Sequence, residues 1–375
     1  MSGKPQITLL RGSAANPWDL APWELLADEF DVQVLVPANN QYDLSALQQI
    51  RIVPIETLAS RARITGGSTP HIVAGDHYLG LQRALRNSDI VHAAELSYWF
   101  TAQAARAKQQ LGYKLAATIW ETIPFGRALR NARSRRYRAQ VLGATDLFLP
   151  TTQRAADALL LEGADPARIA VCAPGTNLER FAAARTARPP ADGRHTILSI
   201  ARLVWEKGHQ DVLRALALLR RRGIENWRLV IVGVGGEAQR LRGHADNLGV
   251  ADLVEWRGWV AYDELVDVYA EASCLVLGSL PIRNWEEQFG MVLTEAMAAH
   301  VPVVASASGA IPEVVGDDGL LYTPGDWAGL AGLLAGGPLA GPLGARRVPS
   351  PERLAHYSTA AAADRLRGHY TSLLR

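Results

Sequence analysis

Residues 285–306, WEEQFGMVLTEAMAAHVPVVAS, decide the fold because they join a charged turn to an apolar helix and then to an apolar strand. Gly290 lets the backbone approach a ligand closely. The unpaired amides at the start of a helix over about residues 291–300 point at any anion placed there. Glu287 and Glu295, eight positions apart, flank this turn. The stretch therefore predicts a site where two carboxylates lie beside a bound anion.

A purely structural helix is the alternative interpretation of the same stretch. Four apolar residues have the spacing of a buried helical face: Val292, Leu293, Ala296 and Met297. Under this interpretation the two glutamates are solvated and have no function, and the rest of the chain has to decide between the alternatives.

Length and composition narrow the function classes. A chain of 375 residues exceeds one ordinary core and predicts two domains of similar size. The 39 Lys and Arg nearly balance the 37 Asp and Glu, which argues against nucleic acid as a partner. Cys172 and Cys274 lie in apolar runs and are expected to be buried free thiols in a reducing cytoplasm. A cytoplasmic location is expected, because the chain lacks a signal-peptide pattern and a run of about twenty apolar residues.

Short apolar runs alternate with helical patterns in both halves of the chain, which predicts an α/β fold with parallel, doubly wound sheets. The predicted strands of the first half are 7–10, 32–37, 50–55, 89–94, 114–120, 146–151 and 168–174. Those of the second half are 196–203, 227–233, 253–258, 274–279 and 301–306.

Breaks in this alternation predict the domain boundaries. The proline-rich segment 182–195 is predicted to be a linker, and residues 329–351, rich in Gly, Pro and Ala, a loose connection. The predicted organisation is a first domain over 1–185, a second over 186–355, and a helix over 356–375 that returns to the first domain.

Arg202 and Lys207 supply two cations at the end of a predicted strand. They lie in ARLVWEKGHQ, after the strand TILSI and before a helix, so both can project toward a ligand at the strand end. A guanidinium binds two phosphate oxygens at once, and an ammonium adds a compact point charge. Solvated surface cations are the alternative. In the absence of a metal, fixed cations and helix amides of this kind can stabilise a bound anion.

The order of these features resembles the signature of the retaining glycosyltransferases of family 4. In that family an R-L-x-x-x-K-G stretch, as in residues 202–208, precedes an E-x7-E pair around Phe-Gly, as in residues 287–295. The pair leads into Glu-Ala-Met-Ala and Pro-Val-Val-Ala. The resemblance is strong over about residues 196–326 and weaker over the first 180. It implies the GT-B arrangement, two Rossmann-like doubly wound domains facing across a cleft.

The resemblance also implies an activity. We expect a retaining, metal-independent hexosyltransferase that needs no cofactor and takes a nucleotide-diphospho-sugar, UDP- or GDP-linked, as co-substrate. The acceptor would be a sugar, a lipid-linked glycan or a small-molecule aglycone. Two alternatives stay open: a GT-B nucleotide-sugar epimerase, and a non-catalytic nucleotide- or sugar-binding protein that kept the fold.

Roles at the donor site follow from the same resemblance. Arg202 and Lys207 would contact the diphosphate, and Glu295 would accept hydrogen bonds from the ribose hydroxyls. Glu287 would stabilise the oxocarbenium-like anomeric centre rather than attack it. The other expected substrate-binding residues are Val260 at the base, and Phe289, Gly290, Met291 and Val292 around the transferred sugar.

The first domain departs from the family pattern. Gly12 is the single glycine of a loop that usually has two, and it is a candidate for approaching the donor phosphate. Glu121 follows a predicted strand where relatives have a histidine, and it is a candidate catalytic or acceptor-orienting carboxylate. A solvated residue is the alternative there. His92 is a further candidate at a strand end, with a structural histidine as the alternative.

Aromatic and basic residues of the first domain suggest acceptor and membrane contacts. The candidates for a platform on which a sugar or an apolar aglycone stacks are Trp18, Trp23, Trp99 and Trp120. Six arginines between positions 127 and 138 could contact anionic lipid at a membrane face, but a solvated helix face is the favoured interpretation.

Overall fold

The computed structural model describes residues 3–62, 76–126 and 132–375. The chain divides into two compact units. Unit 1 comprises residues 1–175 and 357–375, and unit 2 comprises residues 176–356. Each unit contains a six-stranded parallel sheet, which confirms the predicted α/β class. Within the described ranges, no helix is both long and apolar enough to cross a bilayer.

The sheet of unit 1 has the order β3-β2-β1-β4-β5-β6. Its strands are β1 Gln6–Leu10, β2 Asp31–Pro37, β3 Arg51–Ile55, β4 Ile90–Ala94, β5 Lys114–Ile119 and β6 Leu147–Pro150. Its first helices are α1 Pro17–Glu24, α2 Leu58–Arg61, α3 Leu81–Ala84, α4 Trp99–Leu111, α5 Ala132–Ala144 and α6 Gln153–Leu161. Consecutive residues of β4, Ile90 and Val91, enter two different apolar clusters, so both faces of the sheet are covered.

The sheet of unit 2 has the order β12-β11-β10-β7-β8-β9. Its strands are β7 His195–Ile200, β8 Trp227–Val232, β9 Val254–Gly258, β10 Cys274–Leu277, β11 Val303–Ser306 and β12 Leu320–Tyr322. Its helices are α7 Leu178–Ala182, α8 His209–Arg221, α9 Ala238–Leu248, α10 Leu265–Glu271, α11 Met291–Ala298, α12 Ile311–Val315, α13 Trp327–Gly336 and α14 Pro351–His356. Helix α8 buries an apolar face that includes Val212, Leu216 and Leu219.

Both sheets follow the same connection rule. In each, the first three strands run outward in one direction from the centre, and the fourth returns beside the first and starts the other half. The reversal lies between β1 and β4 in unit 1 and between β7 and β10 in unit 2. Ligands of doubly wound sheets bind outside the carboxyl ends of the strands at this reversal, the topological switch point. The fold therefore predicts one binding site in each unit.

The last helix of the chain, α15 (Thr359–Leu373), belongs to unit 1. The Ser358 hydroxyl caps its start by accepting the Ala361 amide at 3.1 Å. The Tyr370 hydroxyl accepts the Trp23 indole N–H at 2.8 Å and lies 2.5 Å from His92 Nδ1. Trp23, His92 and Tyr370 are all buried, so the end of the chain completes the interior of unit 1.

The division between the units lies ten residues before the predicted boundary at 185/186. Phe181 explains the difference, because its ring packs edge-on against Tyr269 of unit 2 with centroids 5.4 Å apart. The predicted linker 182–195 also lies inside unit 2, where the Arg188 guanidinium pairs with Asp267 at 2.5 Å.

Two predicted elements are wrong. Residues 168–174 do not form a strand; the Ala170 and Cys172 amides donate to carbonyls of β6 at 3.0 and 2.8 Å, and the ladder goes no further. Residues 329–351 are not a loose connection throughout, since α13 occupies 327–336. Asp326 caps that helix, and Leu330 and Leu334 are buried in the core, which outweighs the cost of its glycines.

Candidate active site

The switch point of unit 2 brings together two loops that follow neighbouring strands. After β7 the chain passes Arg202 and forms a short 3₁₀ turn at Trp205–Lys207. After β10 it reaches Ser279. The Leu280 amide donates to the Glu206 carbonyl at 2.8 Å, which fastens one loop to the other.

Lys207 and Glu287 form a buried ion pair at this point. The Lys207 ammonium donates to Glu287 Oε2 at 2.7 Å, and the two side chains are 14% and 7% exposed. The Ser279 hydroxyl donates to the same oxygen at 2.5 Å. The ammonium also lies 4.6 Å from the centroid of the Trp285 ring. Glu287 is thus held in place by two donors, and its interpretation as a solvated surface residue does not hold.

Two glycines allow the close backbone packing behind this pair. Gly208 has a φ of +69°, and a Cβ atom there would lie 1.8 Å from the Gly278 carbonyl oxygen. Gly309 has a φ of +57°, and a Cβ atom there would lie 2.1 Å from the Glu287 carbonyl oxygen. A side chain at either position would displace the loop that carries Lys207 or Glu287.

Glu295 lies on α11, one turn beyond the predicted helix start. Gly290, with a φ of +84°, precedes that helix. Glu295 is only 4% exposed, and its Oε2 accepts the Tyr269 hydroxyl at 2.8 Å. Burial, together with the charge of Glu295, raises the pKa of Tyr269 well above its usual value, so the phenol stays protonated and donates. The sequence pattern did not single out Tyr269, which comes from α10.

The remaining predicted donor-site residues differ in how far they are exposed. Arg202 is exposed, and Val260 is half-buried two residues beyond β9. The Phe289 side chain is buried in the core, whereas Gly290, Met291 and Val292 are half-buried at the helix start. Lys207 and Glu287 are therefore joined directly, whereas Glu295 contacts Tyr269 and the role of Arg202 stays a prediction.

His209 begins α8 immediately after the turn that carries Lys207. Its Nδ1 lies 3.0 Å from the Ser199 hydroxyl, and the side chain is fully buried. Burial lowers the pKa of His209 to about 4, so the imidazole is neutral near pH 7. It supports the loop from within the core.

A cavity of about 660 Å³ lies at the switch point of unit 1. It is lined by the loop that follows β1, residues 11–16, and by residues that follow β4, including Glu95 and Tyr98. Three of the four candidate tryptophans line it: Trp23, Trp99 and Trp120. Trp18 instead packs edge-on against Tyr42, with centroids 5.2 Å apart.

Gly12 lines this cavity, but the space beside its α-carbon is filled. A Cβ atom there would lie 2.8 Å from the Asp76 carboxylate. That carboxylate accepts the Ser13 amide at 3.1 Å. A phosphate approaching Gly12 would therefore meet a negative charge.

Glu95, which sequence reasoning missed, is a strained residue of the cavity. Its φ of +59° is a left-handed conformation that costs a non-glycine residue about 1–2 kcal/mol. Its amide donates to the Thr118 carbonyl at 2.9 Å, and its Oε1 accepts the Trp120 amide at 2.8 Å. Strain held in place by such contacts is typical of functional positions. The signal available in the sequence was a carboxylate at the end of a predicted strand.

In the described part of the chain, Glu121 and His92 are not among the residues that line the cavity. Glu121 accepts the Ile123 amide at 3.3 Å, whereas the neighbouring Trp120 lines the cavity. His92 is fully buried, with Nε2 2.7 Å from the Thr118 hydroxyl and Nδ1 bonded to Tyr370. Burial lowers the pKa of His92 well below its usual value, which favours a neutral, structural imidazole.

The predicted basic segment 127–138 is described only from Ala132 onward, and residues 127–131 lie outside the described residues. The Arg133 guanidinium lies 4.6 Å from the centroid of the Trp99 ring. Arg138 forms an ion pair with Glu162 and also donates to its carbonyl at 2.8 Å. These two arginines make contacts within unit 1, and the membrane contact stays a prediction.

Two family models match the chain in succession. Residues 23–180 match the family described as Glycosyltransferase Family 4, and residues 181–335 match Glycosyl transferases group 1. The two matches meet within a few residues of the division between the units.

Curated relatives are bacterial. The D-inositol 3-phosphate glycosyltransferase of Streptomyces bingchenggensis is 34% identical over 263 residues, which cover 61% of this chain and 55% of the relative. The protein of the same name from Mycolicibacterium vanbaalenii is 33% identical over 279 residues, 67% of this chain and 60% of the relative. The chain thus spans a little more than half the length of these two relatives.

Solved structures resemble the whole chain. Anabaena HepE in complex with UDP has a TM-score of 0.74 at 17% identity and is covered over 100% of its length by 98% of this chain. Sucrose-phosphate synthase from Thermosynechococcus elongatus has a TM-score of 0.71 at 19% identity, with 99% of each chain covered. At this identity the likeness shows the fold alone. With two family models that together cover residues 23–335 and this fold, the chain belongs to the family 4 glycosyltransferases of the GT-B class.

Proposed function

We propose that the protein is a retaining hexosyltransferase that transfers a sugar from a nucleotide-diphospho-sugar to an acceptor hydroxyl. The single observation that carries this proposal is the buried pair of Lys207 and Glu287 beside the start of α11, at the switch point of unit 2. A fixed carboxylate, a fixed ammonium and the first amides of α11 lie there, and this combination suits a sugar bound through a diphosphate.

The donor is proposed to be UDP-linked. Anabaena HepE, which shares the fold, is described in complex with UDP and with UDP-glucose. Val260, beyond the end of β9, is the proposed contact of the base, and Glu295 that of the ribose. Tyr269 holds the Glu295 carboxylate in one orientation, which favours recognition of a pair of vicinal hydroxyls.

The transfer step is proposed to occur on one face of the sugar. The bond between the anomeric carbon and the β-phosphate oxygen breaks, and the acceptor oxygen forms a new bond to the same carbon. The acceptor hydroxyl gives its proton to the departing phosphate. Arg202, Lys207 and the amides of α11 stabilise the charge that develops on the diphosphate, and Glu287 stabilises the positive charge on the sugar.

Donor binding and turnover test the proposal. Nucleotide sugars are screened by calorimetry, and transfer to an acceptor panel is followed by NMR, which also gives the anomeric configuration. We expect UDP-glucose or a related UDP-hexose to bind and to give a product that retains configuration. Arg202→Ala and Glu295→Gln should each weaken donor binding at least tenfold, whereas Arg221→Ala, at an exposed position of the same unit, should not.

The alternatives give different results. An epimerase would convert the donor without an acceptor, and a non-catalytic binding protein would bind it without turnover. Inversion of configuration would contradict the retaining mechanism. Loss of activity with EDTA, restored by a divalent cation, would contradict the proposal that Arg202, Lys207 and helix amides stabilise the leaving group without a metal.

A further inference from the structure

The cavity of unit 1 contains an arginine whose charge is incompletely compensated. Arg11 follows β1 at the switch point and lines the cavity. Its Nη1 donates to the carbonyls of Leu10 and His92 at 3.0 and 3.3 Å, and the guanidinium lies 4.9 Å from the centroid of the Trp23 ring. Within residues 3–62, 76–126 and 132–375, no other hydrogen bond and no ion pair involves this guanidinium.

Two other sheltered arginines, Arg138 and Arg353, are compensated more fully. Arg138 pairs with Glu162. The Arg353 Nε donates to Asp318 at 2.9 Å, and its Nη1 donates to two carbonyls. Arg11 differs from both, because its hydrogen-bond acceptors are two carbonyls that share a single nitrogen. Burial lowers the pKa of Arg11, and Tyr370, Asp19 and Tyr78 oppose this effect only in part.

The same cavity offers hydrogen-bond acceptors for hydroxyl groups. Three carboxylates line it, and each is held by an amide: Asp19 by the Asn16 side chain at 2.7 Å, Asp76 by the Ser13 backbone and Glu95 by the Trp120 backbone. A carboxylate accepts several hydrogen bonds, so these groups can also accept from ligand hydroxyls. Their charges also restrict the number of anionic groups that a ligand can carry into the cavity.

We propose that this cavity is the acceptor site and that it takes a hydroxylated acceptor with one anionic substituent, which the Arg11 guanidinium binds. Nε and Nη2 of Arg11 can grip two oxygens of a carboxylate or a phosphate side by side. Trp99 and Trp120 provide apolar surface for the ring of the acceptor. The inference rests on the proposed transferase function, for which it specifies the class of acceptor.

Paired acceptors test this inference. Wild-type protein with UDP-glucose, or the donor found by screening, is given glucose, glucuronate, glucose 6-phosphate, myo-inositol and D-inositol 3-phosphate. Binding of each acceptor is titrated by tryptophan fluorescence, and transfer is measured by product formation. We expect at least one anionic compound to bind saturably and to be preferred at least tenfold over its neutral counterpart. Preference for glucuronate indicates a carboxylate, and preference for the phosphorylated compounds indicates a phosphate.

Variants at position 11 separate recognition from folding. Arg11→Gln should raise the acceptor KM for the anionic compound roughly 10- to 100-fold while changing that for the neutral counterpart less than about threefold. Arg11→Lys, which keeps the charge but loses the planar fork, should fall between. Arg51→Gln removes the same charge at an exposed position of unit 1 and should match the wild type. The donor KM should be unchanged in all three variants.

Failure of the transferase function and failure of the inference about the acceptor give different results. If no nucleotide sugar binds or turns over, the proposed transferase function fails. If transfer proceeds with neutral acceptors as well as with anionic ones, or if no anionic compound binds saturably, the transferase function stands and the inference about the acceptor is wrong. An equal loss for neutral and anionic acceptors in folded Arg11→Gln would also overturn it, because a purely structural arginine would produce that result.

Discussion

Lys207 and Glu287 depend on each other for stability as well as for activity. Lys207→Met leaves the Glu287 carboxylate buried without its cation, and we expect the free energy of unfolding of unit 2 to fall by about 3–5 kcal/mol. The double variant Lys207→Met/Glu287→Gln carries no buried charge at this place. It should recover most of the lost stability in urea unfolding while transfer stays abolished. Recovery of both would show that the pair is only structural.

Gly208 and Gly249 form a matched pair for testing the close packing behind the site. Their φ angles are +69° and +70°, but a Cβ atom meets the Gly278 carbonyl at the first position and nothing within 4 Å at the second. Gly249→Ala should cost about 1–2 kcal/mol, the strain of the left-handed backbone alone. Gly208→Ala should cost clearly more and abolish transfer. Similar unfolding midpoints for the two variants would contradict the argument.

At the scale of residues, the sequence predicted the carboxylates better than their partners. Glu287, Glu295 and Lys207 stand in the order of a known family signature, so the resemblance identified them as candidates. Ser279 and Tyr269 carry no such pattern, because they contact the glutamates only after β10 and α10 have packed. Contacts between segments that are distant in sequence can be identified only once the fold is known.

The start of helix α8 makes unit 2 sensitive to acid. The pKa of His209 is about 4 in the folded protein, below the ordinary value of 6.5, so the unfolded chain binds the proton more readily. Stability from this group is complete above about pH 6.5 and is lost as the pH falls toward 4, by about 3 kcal/mol in total. The gap in melting temperature between the wild type and His209→Gln should therefore narrow from pH 7.5 to pH 4.5. A constant gap would contradict this assignment.

At the scale of elements, apolar alternation predicted most strands to within two or three residues, because strands buried on both faces are continuous aliphatic runs. It failed at 168–174, where a short apolar run packs beside β6 without extending the ladder. It also failed at α13, whose glycines resemble a loop although the helix is buried through Leu330 and Leu334. Local composition does not reveal which segments pair with a neighbouring strand or pack into the core.

At the scale of the whole molecule, one hydroxyl group ties the end of the chain to the interior of unit 1. Tyr370→Phe leaves the Trp23 indole N–H and the His92 ring without their shared partner, and each buried unsatisfied group costs about 1–3 kcal/mol. We expect a lower melting temperature for unit 1, measured by calorimetry. Tyr42→Phe, which removes a hydroxyl from a ring at the surface, should change stability by less than about 0.5 kcal/mol.

The return of the chain to unit 1 has a consequence for its biosynthesis. Unit 2 is one continuous segment, whereas unit 1 needs residues 357–375, which the ribosome adds after the whole of unit 2. Domains generally fold as units, the N-terminal one first during synthesis. Here unit 2 can finish folding while unit 1 still exposes the apolar surface that Leu366 and Tyr370 cover. The N-terminal half of the chain is therefore the part that stays exposed to chaperones longest.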